Sequence, residues 1–444
     1  MARAVDVTIG IPTDELPFAT SVHASDRYLL DQSGNPFLMR GCSPWLLMTY
    51  LSTTQMETFF ALRQGHGFNT AIVTLFPPLV FQGRDGDTVD DVYPFTGQPT
   101  TIDVTAPNET YWARVDTMFD LAEQYGFTVL ATAADWWGWA DDVGNNTAFA
   151  DQGTAGWEDF GEFIGTRYGA RPNIVWLLGH DYEFDKWAAN NQWFTAILTG
   201  LANVGAAGNL VTLHNLRDPS RDNTDLVSVI DFDLTYNYVA MSAQVLQEYG
   251  LSAPVMPVIH SESQYEGENN DGWLPANADD RCVRIQLLWT LCCGAMGSFI
   301  GHTAEWKFES GWETSIDSVA AAQVKQIFDW WETLPWHTLI PDSGADLLTA
   351  GRGTFDNAPF TSSYAGVMRD TTGTTPATLA VLFIPTARTV TIDETKIAGT
   401  LTATWRDPSS GDEQAATGSG GDYTTPGNND AGDPDWLLVL EGSG

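Results

Sequence analysis

Residues 173–184 read NIVWLLGHDYEF, an apolar run that ends in two acids. The residues after Asn173 are apolar or β-branched as far as Leu178, a composition typical of a strand covered on both faces. The run then gives way to a polar segment that contains Asp181 and Glu183. A strand buried on both faces predicts a parallel sheet packed between helices, with these acids at the end of one of its strands.

Similar apolar runs recur along the chain and alternate with amphipathic stretches. The predicted strands are residues 37–44, 70–76, 128–135, 174–179, 210–214, 232–238, 255–262 and 298–302. The predicted helices are residues 53–64, 111–125, 156–168, 187–204, 243–249, 280–296 and 318–333. Eight β/α repeats predict an α/β fold of the closed (β/α)8 TIM-barrel type. A doubly wound open sheet is the alternative, but no GxGxxG motif or phosphate-binding loop follows the first strand.

The pattern changes after Pro341 to short alternating runs such as TLAVLFIP, TVTID, TATWRDP and WLLVLEG, separated by turn residues. This pattern predicts a small all-β sandwich. We therefore divide the chain into an N-terminal extension (1–25), a barrel (26–340) and a β-sandwich domain (341–444). The extension is expected to pack as irregular chain or as an extra strand.

The charge of the chain excludes two classes of function. The 444 residues include 57 Asp and Glu against 20 Lys and Arg, a net charge of −37, which repels nucleic acid and anionic membrane surfaces. The longest apolar stretch, residues 285–301, contains polar residues and glycines and predicts a buried helix and strand rather than a membrane span. The first residues lack the apolar core of a secretory signal. We expect an extracellular protein whose signal has been removed, or a virion-associated one, and leave the oligomeric state open.

Neither the cysteines nor the acidic loop predicts a metal site or a cofactor. Four cysteines in a chain of this length do not form a disulfide framework, and no Cys/His spacing matches a zinc site. Residues 81–107 are rich in Asp, but Val89 stands at a ligand position of the calcium-binding loop pattern. We interpret this segment as a solvated loop over the barrel mouth.

The active site of a (β/α)8 barrel lies at the carboxyl ends of its strands. Asp181 follows the fourth strand, and the seventh strand ends in Glu262. Two carboxyl groups facing each other across a barrel mouth are the arrangement that hydrolyses glycosidic bonds, one protonating the leaving oxygen and the other attacking the sugar. Glu183, Glu266 and Glu305 remain as alternatives, ranked lower because strand alternation places them on loops or pointing outward.

Other strand-end side chains suit a sugar ligand, since aromatic rings stack on sugar C–H faces and polar groups bind hydroxyls. Each also has a structural alternative, because many Trp residues lie in the core and lone histidines are often structural. The predicted substrate-binding residues are Trp45, Asp135, Trp136, His180, His214, Asn215, Tyr236, Asn237, His260, Tyr265, His302 and Trp306.

Several segments resemble successive blocks of the apiosidase-like glycoside hydrolases, glycoside hydrolase family 140 and its relatives. They include RYLLDQSGNPFLMRGCSPWLL (27–47), FGEFIGTRYGARPNIVWLLGHD (160–181), PVIHSESQYE (257–266) and GHTAEWKF (301–308). The resemblance covers most of residues 26–444 and implies a barrel with a C-terminal sandwich. It places the acid/base on Asp181 and the nucleophile on Glu262. The family's Gly-Gly-Asp and Asp-Gly-Glu are replaced here by Gly-His-Asp at His180 and by His-Ser-Glu at His260 and Ser261.

We therefore predict a retaining glycoside hydrolase that acts on a complex polysaccharide, with an apiose- or arabinose-like furanoside as the sugar that the resemblance favours. The alternative is a non-catalytic glycan-recognition protein on a glycosidase scaffold, such as a phage tail component. The altered residues beside both catalytic positions and the acidic surface motivate this alternative. Carbohydrate is the expected partner in both cases.

Overall fold

The computed structural model describes residues 16–76, 92–98, 102–135, 148–239, 241–344, 346–355, 362–371 and 375–443. The first described segment contains a small antiparallel sheet of strands β1 (Ala19–Val22), β2 (Leu29–Asp31) and β3 (Pro36–Phe37). The segment predicted as irregular chain or an extra strand therefore contributes β1. Ala19, Leu29 and Phe37 of this sheet are buried in one cluster with residues of the barrel interior.

Eight parallel strands follow and confirm the predicted (β/α)8 barrel. They lie side by side in the order β8-β7-β6-β5-β4-β11-β10-β9. Their bounds are β4 (Met39–Cys42), β5 (Thr70–Thr74), β6 (Thr128–Ala134), β7 (Ile174–Tyr182), β8 (Val211–Asn215), β9 (Asp233–Tyr236), β10 (Val258–Glu262) and β11 (Gly297–Ile300). The two ends of this sheet meet where Asp231 N donates to Val211 O at 2.8 Å and Thr212 Oγ1 donates to Phe232 O at 2.8 Å.

Helices alternate with the strands along the described parts of the chain. They are α1 (Leu47–Tyr50), α2 (Thr53–Gly65), α3 (Glu109–Gln124), α4 (Ala148–Asp151), α5 (Gly153–Tyr168), α6 (Phe184–Trp187), α7 (Asn191–Asn203), α8 (Met241–Gly250), α9 (Asp280–Leu291), α10 (Thr303–Lys307), α11 (Trp312–Ser315) and α12 (Val319–Glu332). Side chains cap several helix N-termini, among them Ser52 at α2 and Ser318 at α12. None of the helices in the described ranges is long and apolar enough to cross a membrane.

One β/α repeat is incomplete. The connection between β8 and β9, residues 216–232, contains a 3-10 turn (Ser220–Asp222) but no α-helix. Ser220 replaces the helix as the tie between these strands, because its hydroxyl bonds to Leu213 O and accepts from Leu234 N at 2.9 Å. The seven helices predicted from sequence are present, with ends that shift by a few residues.

The C-terminal region forms the predicted β-sandwich from two antiparallel sheets. One sheet has the order β12-β14-β15-β20-β17-β18 and the other β13-β16-β19. The strands are β12 (Ile340–Pro341), β13 (Leu348–Ala350), β14 (Gly366–Arg369), β15 (Leu379–Ile384), β16 (Thr389–Ile392), β17 (Leu401–Arg406), β18 (Glu413–Ala415), β19 (Asp422–Thr424) and β20 (Trp436–Gly442).

Strand β15 is buried on both faces and joins the sandwich to the barrel. Because side chains alternate along a strand, Leu382 and Ile384 pack in the core between the two sheets. Val381 and Phe383 belong instead to the core of the barrel helices, where Phe383 meets the ring of Trp289 with centroids 6.3 Å apart. The sandwich therefore shares a hydrophobic interface with the barrel.

Candidate active site

The end of β7 bends so that Asp181 reaches the barrel mouth. Leu178 pairs with Leu213 and Tyr182 pairs with Asn215, which leaves a register shift between the two pairs. Within this bulge Gly179 has φ 70° and Asp181 has φ 53°, both in the left-handed region. A bulge redirects the side chains that it contains. The Asp181 carboxyl group accordingly lies in the cavity at the barrel mouth, with about a fifth of its side chain exposed (21%).

Glu262 stands at the end of β10, next to a register shift against β9. Tyr238 OH donates a hydrogen bond to Glu262 Oε1 at 2.9 Å. The hydroxyls of Tyr236 and Tyr238 lie 2.7 Å apart. Because the single proton of Tyr238 is used toward Glu262, Tyr236 is the donor in this second bond. The two tyrosines form a relay that ends on the Glu262 carboxylate.

Asp181 and Glu262 lie at the carboxyl ends of β7 and β10 and face one another across His214, the residue before the last of β8. His214 Nδ1 lies 3.7 Å from Asp181 Oδ1, and His214 Nε2 lies 3.7 Å from Glu262 Oε2. One oxygen of each carboxyl group and an imidazole nitrogen all lie within 4.8 Å of one another. The apolar strand thus ends in an acid because that acid meets a second carboxyl group at a shared site.

A cavity of about 160 Å³ opens above this pair. Its described lining combines aromatic rings with acidic and amide side chains. The lining residues are Trp45, Leu46, His180, Asp181, Tyr238, Glu262, Tyr265, Glu268, Asn270 and Trp306. Small, mostly aromatic pockets with a few convergent polar groups are typical of sites for small ligands.

Burial raises the pKa of both carboxyl groups, and the charge of Asp181 adds to the rise at Glu262. Burial raises the pKa of Asp181; the charge of His180 opposes this shift and that of Asp135 adds to it. Burial and then the charge of Asp181 raise the pKa of Glu262 to about 8, against the hydrogen bond from Tyr238. Two carboxyl groups this close titrate as a pair, so the site retains one proton near neutral pH.

The Apiosidase-like, catalytic domain family matches residues 23–345. This chain belongs to the apiosidase-like family. The family assignment confirms the resemblance seen in the sequence and makes the chain a glycoside hydrolase.

Solved structures share the fold of this apiosidase-like chain. A "Glycoside hydrolase" has a TM-score of 0.75 at 19% identity, over 96% of this chain and 97% of that chain. A glycoside hydrolase family 5 protein from Bacteroides vulgatus ATCC 8482 has a TM-score of 0.75 at 18% identity, over 96% and 93% of the two chains. No match is found among curated proteins. The two structures extend the likeness over the sandwich as well as the barrel.

Trp45 and His180 form one wall of the apiosidase-like cavity. Their rings stack at 3.8 Å with an angle of 3° between planes. Trp45 Nε1 donates to Tyr265 OH at 2.8 Å. His180 Nδ1 lies 3.4 Å from Asp135 Oδ1; burial opposes the imidazolium form, but the charge of Asp135 prevails and raises the His180 pKa. Asp135 is buried and lies outside the cavity lining.

The other residues predicted to bind substrate occupy structural positions near the rim. Asn215 donates to Pro219 O at 2.7 Å, and the Asn237 side chain accepts from Val239 N at 2.9 Å. His260 is buried beside Thr235 Oγ1 at 2.9 Å, and His302 Nδ1 caps α10 by accepting from Ala304 N at 2.9 Å. These four and Tyr236 do not line the cavity in the described part of the chain. Trp136 lies outside the described residues.

The three alternative acids have other partners. Glu305 is buried in an ion pair with Arg63 at 2.6 Å. Glu266 accepts from Ser318 Oγ at 2.7 Å. Glu183 pairs with Lys186 at 3.3 Å across one turn of helix. Because none of the three lines the cavity, the geometry favours Asp181 and Glu262.

Four lining residues, Leu46, Tyr238, Glu268 and Asn270, lie outside the set predicted from sequence. Glu268 accepts a hydrogen bond from Trp306 Nε1 at 2.7 Å and so orients the ring that forms the opposite wall. Both Glu268 and Asn270 follow β10 in the segment QYEGENN. Its polar composition was the available signal, but a loop carries no periodicity that predicts where a side chain points.

Asp181, His214 and Glu262 are also the group in the described ranges that could hold a metal ion. Two atoms bound to zinc at about 2.0–2.2 Å lie at most about 4.4 Å apart. Here, however, the two carboxyl groups face different nitrogens of one ring, each at 3.7 Å. A single metal ion could not take the place of both carboxyl–imidazole contacts unless a side chain moved. The arrangement therefore suits proton transfer better than a preformed metal site.

Proposed function

We propose that this apiosidase-like enzyme cleaves its glycosidic bond with retention of anomeric configuration. Glu262 is the nucleophile and Asp181 the acid/base. The observation that carries the proposal is the short separation of the two carboxyl groups, whose nearest oxygens lie within 4.8 Å. Retaining enzymes hold the two groups about 5–5.5 Å apart, whereas inverting enzymes leave about 6.5–9.5 Å for a water molecule.

Each acid has surroundings that suit its part. Tyr238 donates to Glu262 and so stabilises the charged form that attacks the anomeric carbon. The raised pKa of Asp181 keeps its proton available for the leaving oxygen as the C–O bond breaks. Formation of the glycosyl ester removes the charge of Glu262, which lowers the pKa of Asp181. Asp181 then takes a proton from the water that attacks the ester, and Glu262 leaves as carboxylate.

The substrate that we propose is a polysaccharide with an apiose- or arabinose-like furanoside. Family membership supports this class, and the cavity of about 160 Å³ between Trp45, Tyr265 and Trp306 is small. The furanoside assignment is tested by comparing nitrophenyl furanosides with nitrophenyl pyranosides. We expect faster release from the furanosides.

The role of Glu262 is tested by the Glu262→Gln variant. The amide keeps the shape of the side chain but cannot form the ester, so kcat should fall by at least about 10³-fold. Glu266→Gln, which alters an acid outside the cavity, should keep near-normal activity. Proton NMR of the first product formed by the wild type should show the anomer of the substrate. Wild-type turnover by Glu262→Gln, or an inverted first product, would reject the proposal.

A further inference from the structure

His214 contacts both sides of the catalytic pair. We propose that His214 is a positioning residue that aligns the two carboxyl groups through one imidazole, with Nδ1 holding the backbone of Asp181 and Nε2–H directed at Glu262. The inference rests on the proposed function, because it assigns a role within the same reaction. It concerns geometry rather than chemistry, since His214 does not line the cavity that receives the sugar.

The contact with Asp181 holds an unfavourable backbone conformation. Asp181 has φ 53°, a region that residues other than glycine rarely occupy, and such conformations persist when neighbouring contacts fix them. Asp181 N donates to His214 Nδ1 at 3.3 Å. Because Asp181 lies in the bulge between β7 and β8, this bond takes the place of a strand-pairing bond. The imidazole thereby fixes the turn that points the Asp181 carboxyl group at the cavity.

The same contact decides which nitrogen carries the proton. A neutral imidazole has one N–H and one acceptor nitrogen. Since Nδ1 accepts from Asp181 N, the proton resides on Nε2, which lies 3.7 Å from Glu262 Oε2. Nε2 is buried and has no hydrogen-bond partner among the described residues. It therefore presents an N–H to the nucleophile, at a distance that a small movement on substrate binding closes.

The ring is fixed in place and stays neutral. Trp45 meets it edge-on at 5.0 Å, and Tyr236 lies against it at 5.0 Å. Burial, followed by the charges of His180 and His260, lowers the pKa of His214 well below its usual value. The titratable groups that face it come from three strands: His180 and Asp181 on β7, Tyr236 on β9, and His260 and Glu262 on β10. His214 therefore orients the acids without changing charge as they titrate.

Three variants separate the two contacts. In His214→Asn the amide oxygen can occupy the place of Nδ1, and in His214→Gln the amide nitrogen can reach the place of Nε2. His214→Ala should lower kcat about 100-fold with little change in KM, the loss expected for a catalytic group displaced by about 1 Å. We expect His214→Asn to restore the basic limb of the pH profile of kcat/KM, which depends on protonated Asp181. We expect His214→Gln to restore the acidic limb, which depends on ionised Glu262.

His23→Ala is the matched control, because His23 Nδ1 accepts from Ser25 N at 3.1 Å on an exposed turn away from the cavity. Its pH profile should equal that of the wild type. The tautomer can also be measured without substrate, from the 15N spectrum of the wild type labelled at its seven histidines. The His214 signal is identified as the one that is lost in His214→Asn. It should show an Nε2–H tautomer that does not titrate between about pH 5 and 9.

An Nδ1–H tautomer, or a His214→Ala variant with the wild-type pH profile, would overturn the positioning role. A wild type that cleaves no glycoside would overturn the proposed function instead. The two failures are distinguishable because the tautomer is measured independently of turnover.

Discussion

Tyr238 shows how one hydroxyl sets the charge of the proposed nucleophile. Its bond to Glu262 Oε1 at 2.9 Å favours the ionised carboxylate and so opposes burial and the charge of Asp181, which together raise the pKa of Glu262 to about 8. Removing the hydroxyl in Tyr238→Phe should raise the pKa of Glu262 further. Hydrogen bonds to charged groups contribute about 1.5–3 kcal/mol, so the acidic limb of the kcat/KM profile should move to higher pH by roughly 1–2 units.

The control for this prediction is Tyr423→Phe in the sandwich. Tyr423 OH donates to Glu394 Oε1 at 2.8 Å, the same kind of bond far from the barrel mouth. Its loss should leave the pH profile unchanged. An acidic limb that stays in place in Tyr238→Phe would show that another group sets the charge of Glu262.

At the residue scale, the meeting of Asp181 and Glu262 at one cavity was predictable from sequence, whereas the wall of that cavity was predictable only in part. Asp181 and Glu262 could be predicted because each ends a recognisable apolar strand, and strand ends share one rim. Glu268 belongs to a loop, so its bond with Trp306 depends on a chain path that local sequence does not determine. The left-handed backbone conformation of Asp181 could not be predicted from sequence either, because it results from the bulge between β7 and β8.

The bulge in β7 is an element whose shape depends on Gly179. Its φ of 70° is unfavourable for any other residue, and an added Cβ would lie 3.0 Å from Tyr182 Cβ. Gly179→Ala should lower the free energy of unfolding by about 1–2 kcal/mol or more. It should also lower kcat, because strain at this position moves Asp181. Urea denaturation and steady-state kinetics measure the two effects separately.

Gly205→Ala isolates the backbone cost from the effect on the site. Gly205 follows α7 with φ 77° and has no atom within 4 Å of an added Cβ. This variant should lose a similar free energy of unfolding and keep its kcat. If Gly179→Ala also kept full kcat, the bulge would not be what positions Asp181.

The order of the elements was predictable from the sequence, whereas the hydrogen bonds that join β8 to β9 were not. Apolar strands and amphipathic helices have different periodicities, and these predicted all eight strands and seven helices. The link between β8 and β9, for which no helix was predicted, is held by tertiary hydrogen bonds of Ser220 and Asp231. Such bonds join residues that are distant in sequence, so no local sequence pattern predicts them.

At the scale of the whole molecule, a buried ion pair fastens the sandwich to the barrel. Arg284 on α9 donates to Asp435 Oδ2 at 2.8 Å and to Asp433 Oδ2 at 2.9 Å, and the side chains of Arg284 and Asp435 are fully buried. Arg284→Met should leave Asp435 charged without its main partner and lower the free energy of unfolding by about 3–5 kcal/mol. Chemical denaturation measures this loss, and kcat of the folded protein should not change.

Lys325→Met is the comparison, because the Lys325–Asp329 pair is half-exposed on α12. Exposed pairs contribute about 0–1 kcal/mol, so its effect should be small. The double variant Arg284→Met with Asp435→Asn should recover part of the lost free energy of unfolding, because it removes the buried charge that Arg284→Met leaves unpaired. Equal stability of Arg284→Met and the wild type would show that hydrophobic contacts alone hold the two parts together.

The small sheet of β1, β2 and β3 determines from which end of the barrel water reaches the two carboxyl groups. Its buried residues Ala19, Leu29 and Phe37 close the amino-terminal end of the barrel, where Ala19 N also donates a hydrogen bond to Thr128 Oγ1 at 3.0 Å. Solvent therefore approaches the carboxyl pair from the opposite end, through the opening that admits the sugar. Under the proposed mechanism a bound sugar covers this opening while Asp181 protonates the leaving group, and the water that hydrolyses the ester enters by the same opening once the leaving group has departed.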